Sequence, residues 1–240
     1  MSEFWEGDLK TGYYDKVLTS GLKKNRGIQA NWHNITFSRV KKYLSKNISH
    51  LDYACGSGSL IGLYSQSSSV GFDISENQIN YANSTYQGKG NFYTIDNLDL
   101  REHHEKYDII TVLGLLEFLE NEEIIKIINN LYSLLKPNGK LILTTPNFTS
   151  TMYVLEKALN IFGSVNYEDK HINKFNKSRL LLLLDQSKFQ NIKIDKYINF
   201  PVFLSFMTIS LSCKLNLLVE KLLNKKVGYL LFAELTKTVK

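Results

Sequence analysis

The segment LDYACGSGSL combines an acid with a turn of small residues. Asp52 closes a short apolar run, and Ala54, Gly56 and Gly58 follow it at alternate positions. Residues this small let the backbone come close to a bound ligand. Asp73 lies 21 positions after Asp52, close to the spacing of about 20 residues at which an acid binds a ribose in α/β folds. The spacing therefore indicates a ligand that contains a nucleoside.

The chemistry of this turn argues against a phosphate group in the ligand. A phosphate-binding P-loop ends in Gly-Lys-Ser/Thr, and this loop contains no lysine. The dinucleotide fingerprint G-x-G-x-x-G, started at Gly56, would need its third glycine at Ile61. Asp52 would repel a nearby anion and attract a cation. S-adenosylmethionine satisfies these constraints, because it has a ribose, an adenine, an ammonium and a sulfonium but no phosphate.

Strands and helices alternate through the middle of the chain and would position these residues. Short apolar runs predict five strands, at 48–53, 69–73, 91–95, 107–113 and 141–144. Helical spacing of apolar residues predicts a helix at 28–46 and others between the strands, with Ser75 and Asn121 as N-caps. This alternation is typical of a parallel, doubly wound α/β sheet with right-handed crossovers.

The pattern is less regular after Pro146. It predicts a helix at 178–187 and strands at 192–194 and 229–235. In an open α/β sheet, ligands bind at the carboxyl ends of the strands, where the strand order reverses. The acids that follow the first three strands should therefore converge on one site; these acids are Asp52, Asp73 and Asp96.

Five segments in order resemble the motifs of class I S-adenosylmethionine-dependent methyltransferases. The segments are LDYACGSGSL, VGFDIS, TIDNLDL, YDIITVLGLLEF and LKPNGKLILTTPN. The resemblance covers residues 48–195 and is greatest to the small-molecule branch (methyltransferase types 11, 12 and 23), which includes ubiquinone-biosynthesis-like and sugar-modifying members. It implies a Rossmann-like, doubly wound sheet of seven mostly parallel strands with an antiparallel last strand. N-terminal lid helices and a helical insertion before the last strand complete the expected fold.

The resemblance also implies roles at the cofactor. The backbone around Ala54, Gly56 and Gly58 would approach the methionine part, Asp73 would accept from the ribose hydroxyls, and Asp96 would accept from the adenine amino group. The full expected cofactor-binding set is Asp52, Ala54, Cys55, Gly56, Gly58, Asp73, Ile74, Asp96, Asn97, Leu98, Leu113 and Gly114. Two positions depart from the family pattern. Ala54 stands where glycine is commoner, and Phe118 stands where many relatives have a histidine after the glutamate.

Methyl transfer needs an aligned acceptor, exclusion of water and, for a hydroxyl acceptor, a general base. His171, in the stretch YEDKHINKF, and His33, on the N-terminal helix, are the candidate catalytic residues. Glu117 is interpreted as solvated or structural. Glu168, Asp169 and His171 are close enough in sequence to form a metal cluster, but neighbouring polar residues in a loop usually form none, and we expect no metal.

The charge balance varies along the chain. Residues 1–50 carry nine Lys/Arg and four Asp/Glu, residues 51–150 carry six and twelve, and residues 151–240 carry fourteen and seven. Basic flanks are usually solvated surface, but they also suit an anionic substrate, a membrane surface or nucleic acid. The chain has no run of five basic residues and no nucleic-acid-binding motif, which argues against nucleic acid.

The remaining features concern compartment and surface contacts. Two distant cysteines without a Cys/His cluster, and an N-terminus without a signal-peptide pattern, suit a reducing cytoplasm. Residues 197–213 carry no charge, but they are too short for a membrane span and contain Pro201. The stretch 197–226 is interpreted as a lid or homodimer contact, or as peripheral membrane attachment.

We therefore expect one methyltransferase domain over residues 1–240. It would comprise an N-terminal helical lid, a cofactor-binding core, an apolar helical insertion and a last strand with its tail, at 1–47, 48–195, 196–228 and 229–240. The expected reaction is in-line transfer of a methyl group from S-adenosylmethionine to oxygen or nitrogen of a small molecule or of a glycan or lipid precursor. Two alternatives stay open at this point: a nucleic-acid methyltransferase, and a non-catalytic S-adenosylmethionine-binding scaffold protein.

Overall fold

A seven-stranded sheet forms the centre of the protein in a computed structural model, which describes residues 10–149, 152–153 and 170–238. The strands are β1 (Ser49–Tyr53), β2 (Ser68–Asp73), β3 (Asn91–Thr94), β4 (Tyr107–Leu113), β5 (Leu135–Pro146), β6 (Asn191–Tyr197) and β7 (Leu230–Thr236). Their order is β3-β2-β1-β4-β5-β7-β6. Strand β7 pairs antiparallel with both β5 and β6, and the other pairs are parallel. The predicted doubly wound sheet with an antiparallel last strand is confirmed.

Helices cover both faces of this sheet. They are α1 (Tyr13–Lys24), α2 (Ile28–Val40), α3 (Ser59–Tyr64), α4 (Glu76–Thr85), α5 (Asn121–Leu134), α6 (Lys177–Leu184) and α7 (Ile209–Leu222). Short 3-10 turns occur at Lys41–Tyr43, Ile95–Asn97, Leu116–Phe118 and Phe200–Phe206. The central strands are apolar on both sides because helices pack on both sides. One core cluster joins the sheet to α5 and α6, and another joins it to α1 and α2.

Three local expectations are wrong in detail. The predicted end of helix α2 is residue 46. The helix ends at Val40, and the 3-10 turn Lys41–Tyr43 follows it. Glu120, not Asn121, caps α5, because its side chain and that of Glu123 form a reciprocal capping box. Strand β5 begins well before residue 141: Leu135 already pairs with Tyr107, and residues 136–139 form an irregularity within the strand.

A buried carboxylate fixes the first lid helix to the rest of the fold. Asp15 of α1 is only 2% exposed. Its two oxygens accept hydrogen bonds from Ser59 Oγ at 2.7 Å, from Tyr81 Oη at 2.9 Å and from the Tyr86 hydroxyl. Ser59 is the first residue of α3, and the two tyrosines belong to α4 and the residue that follows it. Because a buried carboxylate is costly unless its oxygens are hydrogen-bonded, this cluster gives α1 one defined position.

The predicted helical insertion before the last strand is present as the 3-10 turn Phe200–Phe206 and helix α7. It packs against α2 through polar contacts, among them Asn31 Nδ2 to Ser212 Oγ at 2.9 Å and the ion pair of Arg39 with Glu220. In the part of the chain that the structure describes, no helix combines the length and hydrophobicity needed to cross a membrane.

Gly58 provides a test of the packing between α3, α4 and the sheet. It has φ +77°, and a Cβ there would lie 2.7 Å from the Phe92 ring and 2.9 Å from Ala82 Cβ. Gly58→Ala is expected to lower the free energy of unfolding by about 2–5 kcal/mol, because left-handed strain and a steric clash add. Urea unfolding measures this change.

Gly88→Ala is the matched control for this substitution. Gly88 also has φ +77°, but a Cβ there meets no heavy atom within 4 Å. This variant should therefore lose only the strain contribution of about 1–2 kcal/mol. Equal losses at the two positions would show that the contact with Phe92 contributes nothing.

Candidate functional site

A cavity of about 910 Å³ opens at the carboxyl ends of β1, β2, β4 and β5. The sheet and its loops provide one side, and the lid helices α1 and α2 provide the other with Leu18, Trp32 and Phe37 among their residues. Ten residues predicted for the site line it: His33, Asp52, Ala54, Cys55, Gly56, Asp73, Ile74, Leu113, Gly114 and His171. The structure therefore brings most of the predicted set to a single cavity.

The turn after β1 forms the floor of this cavity. Ala54 and Gly56 both have positive φ, +62° and +53°, so the chain turns sharply as it leaves the strand. No heavy atom lies within 4 Å of the position that a Cβ on Gly56 would take, and this residue borders the open space of the cavity. Gly58, in contrast, is packed against Phe92 and does not line the cavity.

Asp52 projects from the end of β1 and is buried, with 3% of its surface exposed. Its Oδ1 accepts a hydrogen bond from Thr111 Oγ1 of the neighbouring strand β4 at 2.5 Å. Burial raises the pKa of Asp52 to about 7; the Thr111 hydroxyl opposes this shift, and the negative charge of Asp73 adds to it. The fold therefore holds this acid against a considerable desolvation cost, and its carboxyl group changes between the protonated and the ionised form near neutral pH.

Asp73 is the last residue of β2 and connects this strand to the turn after β1 through a hydrogen bond. Its Oδ2 accepts from the Gly56 amide at 2.8 Å, and its Oδ1 accepts from the Ser75 amide at 2.9 Å. Burial raises the pKa of Asp73, while these backbone hydrogen bonds lower it. An ionised carboxylate can accept about four hydrogen bonds, and the backbone amides of Gly56, Ser75 and Ile74 already use most of this capacity. Within the described chain, neither Asp52 nor Asp73 forms an ion pair.

Cys55 lies between the two acids in the floor of the cavity. Burial raises the pKa of its thiol well above the usual range, with Asp52 and Asp73 adding to the shift, so the sulfur stays protonated. Its side chain fills the space beside Gly71, where a Cβ would lie 2.8 Å from the sulfur. The residue acts here as a small packing group.

The residues predicted to bind adenine are not at the cavity wall. Asp96 and Asn97 belong to the 3-10 turn after β3 and are exposed, and Leu98 is partly buried beside them. Of this turn, only Ile95 lines the cavity. Asn97 Nδ2 donates to Thr94 Oγ1 at 2.9 Å, which fixes the turn locally. The roles of Asp96, Asn97 and Leu98 stay predictions.

A third buried acid faces the cavity from the loop after β4, and sequence reasoning missed it. Glu117 is 5% exposed, and its Oε2 accepts from Thr145 Oγ1 at 3.0 Å. Burial raises its pKa to about 7, and hydrogen bonds from its own backbone amide and from Thr145 lower it. A glutamate inside the apolar run LGLLEFL, directly after a central strand, could have indicated this position from the sequence.

The two predicted histidines reach the same cavity from different elements. The ring of His171 packs against Phe118 at 5.1 Å and Phe148 at 5.7 Å between centroids. The ring of His33 packs against Tyr14 at 5.2 Å, and burial lowers its pKa to about 4. His33 is therefore a neutral imidazole and a weak base.

No group of three potential metal ligands occurs among residues 10–149, 152–153 and 170–238. Two members of the cluster considered above, Glu168 and Asp169, lie outside the described residues. The metal question therefore stays a prediction for the stretch that precedes His171.

The charges of the cavity wall have one sign. The described lining residues include four carboxylic acids, Asp52, Asp73, Glu117 and Glu123, and neither lysine nor arginine. Aromatic and aliphatic side chains provide most of the remaining surface, for example Trp32, Phe118, Leu119, Met152 and Phe203. Such a wall favours a ligand with a cationic part at the acids and an apolar part elsewhere.

Comparisons with known proteins agree with this geometry. The family model described as "Methyltransferase domain" matches residues 28–194. An uncharacterized protein of Rickettsia prowazekii is 29% identical over 161 residues, which are 62% of this chain and 63% of the relative. A ubiquinone biosynthesis O-methyltransferase of Coxiella burnetii is 32% identical over 120 residues, 47% of this chain and 50% of the relative. The matches thus span about half to two thirds of these relatives' lengths.

Solved structures share the fold at lower identity. The plantazolicin methyltransferase BpumL in complex with SAH is 22% identical with a TM-score of 0.59, over 99% of this chain and 94% of that protein. The magnesium protoporphyrin IX methyltransferase of Synechocystis with bound SAH is 20% identical with a TM-score of 0.55, over 97% and 90%. At these identities the likeness establishes the architecture of the chain.

The raised pKa of Asp52 predicts how the stability of the ligand-free protein depends on pH. Because the folded state raises this pKa from 3.8 to about 7, the folded protein binds the proton more tightly than the unfolded chain. The contribution of protonated Asp52 to the free energy of unfolding of wild type is therefore lost as the pH rises from about 4 to about 7. Asp52→Asn cannot ionise, so its stability relative to wild type should grow by up to about 4 kcal/mol between about pH 4 and about pH 8.

Urea unfolding of both proteins across this pH range measures the difference. Comparing the variant with wild type at each pH removes the contributions of groups that titrate in both proteins, such as Glu117. A difference that stays constant with pH would contradict the perturbed carboxyl at Asp52.

Proposed function

Since this chain belongs to the methyltransferase-domain family whose model matches residues 28–194, we propose that it transfers a methyl group to an oxygen of an uncharged, largely apolar small molecule. Members of this family use S-adenosylmethionine as the methyl donor. The observation that carries the proposal is the cavity of about 910 Å³, with paired carboxylates at its floor and an apolar wall opposite them. The proposal concerns the activity and the acceptor, which family membership alone does not define.

The donor end of the cavity suits a cationic nucleoside. S-adenosylmethionine supplies an electrophilic methyl group on a sulfonium, and it carries an ammonium. Asp52 and Asp73 stand without an ion-pair partner among the described residues, and a cation beside them would offset their desolvation and mutual repulsion. Beside the three backbone amides from which it accepts, Asp73 keeps acceptor capacity for a ribose hydroxyl. The open space above Gly56 leaves room for close approach.

The acceptor end favours a molecule without negative charge. An anionic acceptor, such as a phosphodiester, would meet Glu117 and Glu123 and no lysine or arginine in the described lining. This argues against the nucleic-acid alternative. Trp32, Phe37 and Phe118 offer surfaces for an aromatic or aliphatic acceptor. The Coxiella relative is named an O-methyltransferase of ubiquinone biosynthesis, which favours oxygen as the target atom.

Residues at the acceptor end of the cavity are suited to accept the proton that an acceptor hydroxyl loses on methylation. Glu117, with a pKa raised to about 7, is suited to take up a proton near neutral pH. Thr145 fixes its Oε2 by a hydrogen bond at 3.0 Å. His171 lines the same part of the cavity beside Phe118. Helices α1 and α2 cover one side of the cavity, and a covered site of this kind would limit the access of water and favour in-line transfer to a positioned oxygen.

Incubation of the purified protein with cell extract and methyl-labelled S-adenosylmethionine tests the proposal. Label is expected in an apolar, low-molecular-mass fraction, and mass spectrometry should identify a methyl ether. Label in RNA or DNA would instead support the nucleic-acid alternative. Cofactor binding by calorimetry without label in any fraction would support the non-catalytic alternative.

Asp73 provides the test of the donor end. Asp73→Ala is expected to weaken S-adenosylmethionine binding by about 100-fold or more, because two charge-assisted hydrogen bonds to hydroxyls are lost. Isothermal titration calorimetry measures the affinity, and circular dichroism checks the fold. Asp99→Ala, which removes a half-buried acid that pairs with Arg101 and does not line the cavity, is the matched control and should bind normally. Near-normal affinity of Asp73→Ala would remove the ribose assignment.

The acceptor end is tested by the pair Glu117→Gln and His171→Ala. Each is expected to lower kcat by about 100-fold or more and to leave the cofactor affinity essentially unchanged. Because Glu117 accepts a proton only when ionised, wild-type activity should rise with pH through about 7, and Glu117→Gln should lose this rise. A variant that keeps wild-type turnover and pH profile would assign its residue to packing alone.

A further inference from the structure

The insertion carries a group of large apolar side chains that face away from the protein. We define the insertion face as the exposed apolar residues of the 3-10 turn Phe200–Phe206, helix α7 and the turn after it. They are Phe200, Phe206, Met207, Leu211, Leu217, Leu218, Leu222, Leu223 and Val227, with exposures between 41% and 73%. Single exposed apolar residues need no explanation, but a contiguous group of this kind marks an interaction surface.

The orientation of α7 is the reverse of that expected for a helix on a protein core. Its buried positions include the polar residues Ser212, Asn216 and Glu220, and its leucines lie on the exposed side. An ordinary surface helix buries its apolar stripe and exposes its polar one. Here the polar stripe faces inward, and the apolar stripe at Leu211, Leu218 and Leu222 faces outward with helical spacing.

Hydrogen bonds hold the helix in this orientation. Ser212 Oγ accepts from Asn31 Nδ2 at 2.9 Å and donates to the Pro201 carbonyl at 2.7 Å. Asn216 Oδ1 accepts from the Asn199 amide at 2.7 Å. Glu220 pairs with Arg39 of α2. Turning the leucines inward would break these buried contacts, each costly to leave unmade, so the exposed apolar stripe is a property of the folded protein.

Basic residues surround the insertion face. Lys214, Lys221 and Lys226 come from α7 and the turn that follows it, and all three are exposed. The α1–α2 turn brings Lys23, Lys24 and Arg26, all exposed, to the same side. This turn is joined to the insertion by backbone hydrogen bonds from Gly27 to Ser205 at 2.6 Å and from Ile209 to Asn25 at 2.8 Å.

An acidic side chain balances one lysine of this surface in the described chain, where Lys225 pairs with Asp195 of β6 at 2.8 Å. Across the described segments 22–28 and 200–227, the sole carboxylate is Glu220, which is buried against Arg39. A partner for this surface must therefore be apolar and carry negative charge. A second copy of the same face would bring lysines opposite lysines, which disfavours a symmetric dimer through it.

We propose that the insertion face docks on the surface of an anionic phospholipid bilayer. The leucine and phenylalanine side chains would enter the boundary between headgroups and acyl chains, and the lysines would contact the phosphate groups. Phe203, from the same 3-10 turn as Phe200 and Phe206, lines the cavity. Docking therefore brings one wall of the cavity next to the membrane. The proposal does not depend on the identity of the methyl acceptor.

Vesicle co-sedimentation of the purified protein tests this docking. Wild type is expected to sediment with vesicles of phosphatidylglycerol and phosphatidylcholine, and to stay in solution with pure phosphatidylcholine or at high salt. The double variant Leu218→Asp/Leu222→Asp should lose sedimentation. Leu182→Asp is the matched control, because Leu182 is 68% exposed on α6 and outside the insertion face; it should sediment like wild type.

A charge series gives a second measurement. Lys221→Glu is expected to reduce vesicle affinity at least about fivefold, since each basic residue near an anionic surface contributes on this scale. Lys126→Glu, on the exposed side of α5, is the matched control and should leave the affinity unchanged. Thermal unfolding and S-adenosylmethionine calorimetry confirm that each variant is folded, so that loss of vesicle binding is separable from loss of the fold.

Several outcomes would overturn the proposal. One is that wild type fails to sediment with anionic vesicles. Another is that the Leu218→Asp/Leu222→Asp variant sediments as well as the Leu182→Asp control. A dimer by light scattering that this double variant alone abolishes, without vesicle binding by wild type, would assign the insertion face to a second copy of the chain.

Discussion

Two carboxylates at the ends of adjacent parallel strands are the constraint around which this site is organised. Asp52 and Asp73 lie side by side because β1 and β2 pair in register, so that Tyr53 stands opposite Phe72 at the carboxyl edge of the sheet. Neither has a cationic partner among the described residues, and burial raises the pKa of both. The fold tolerates this cost because Thr111 and the amides of Gly56 and Ser75 satisfy part of their hydrogen-bonding capacity.

The surrounding structure holds these two acids in place and buries them. The turn at Ala54 and Gly56 is tied back to β2 by Asp73 itself. Helix α1 covers the turn, and its Asp15 is hydrogen-bonded to Ser59 at the beginning of α3. The lid is thus attached to the same helix that begins at the cofactor turn. One consequence is that movement of the lid and of the turn should be coupled, since a displaced α1 would leave Asp15 without its donors.

The insertion shows how tertiary contacts can override helix amphipathicity. Helix α7 has polar residues with partners on α2 and on the end of β6, and these partners determine which side is buried. The apolar side is left to solvent or to an external partner. The resulting surface lies beside the cavity, because Phe203 of the preceding 3-10 turn lines the cavity wall. One segment of the chain therefore contributes both to the cavity wall and to the exposed apolar surface.

The sequence alone determined the central sheet, the turn of small residues after β1 and the place of Asp73 at the end of β2, because these depend on local patterns: apolar strand runs, small residues and the spacing between acids. It could not determine which buried acids face the cavity. Glu117 looked solvated or structural in sequence, and its position opposite Thr145 arises only when β4 and β5 pair. The cap of α5, the early start of β5 and the inward polar side of α7 likewise required the tertiary structure. For Glu117, β5 and α7 the deciding contacts join residues distant in sequence, which a linear pattern does not specify. The cap of α5 is a short-range pair, and the structure decides between the neighbouring candidates Glu120 and Asn121.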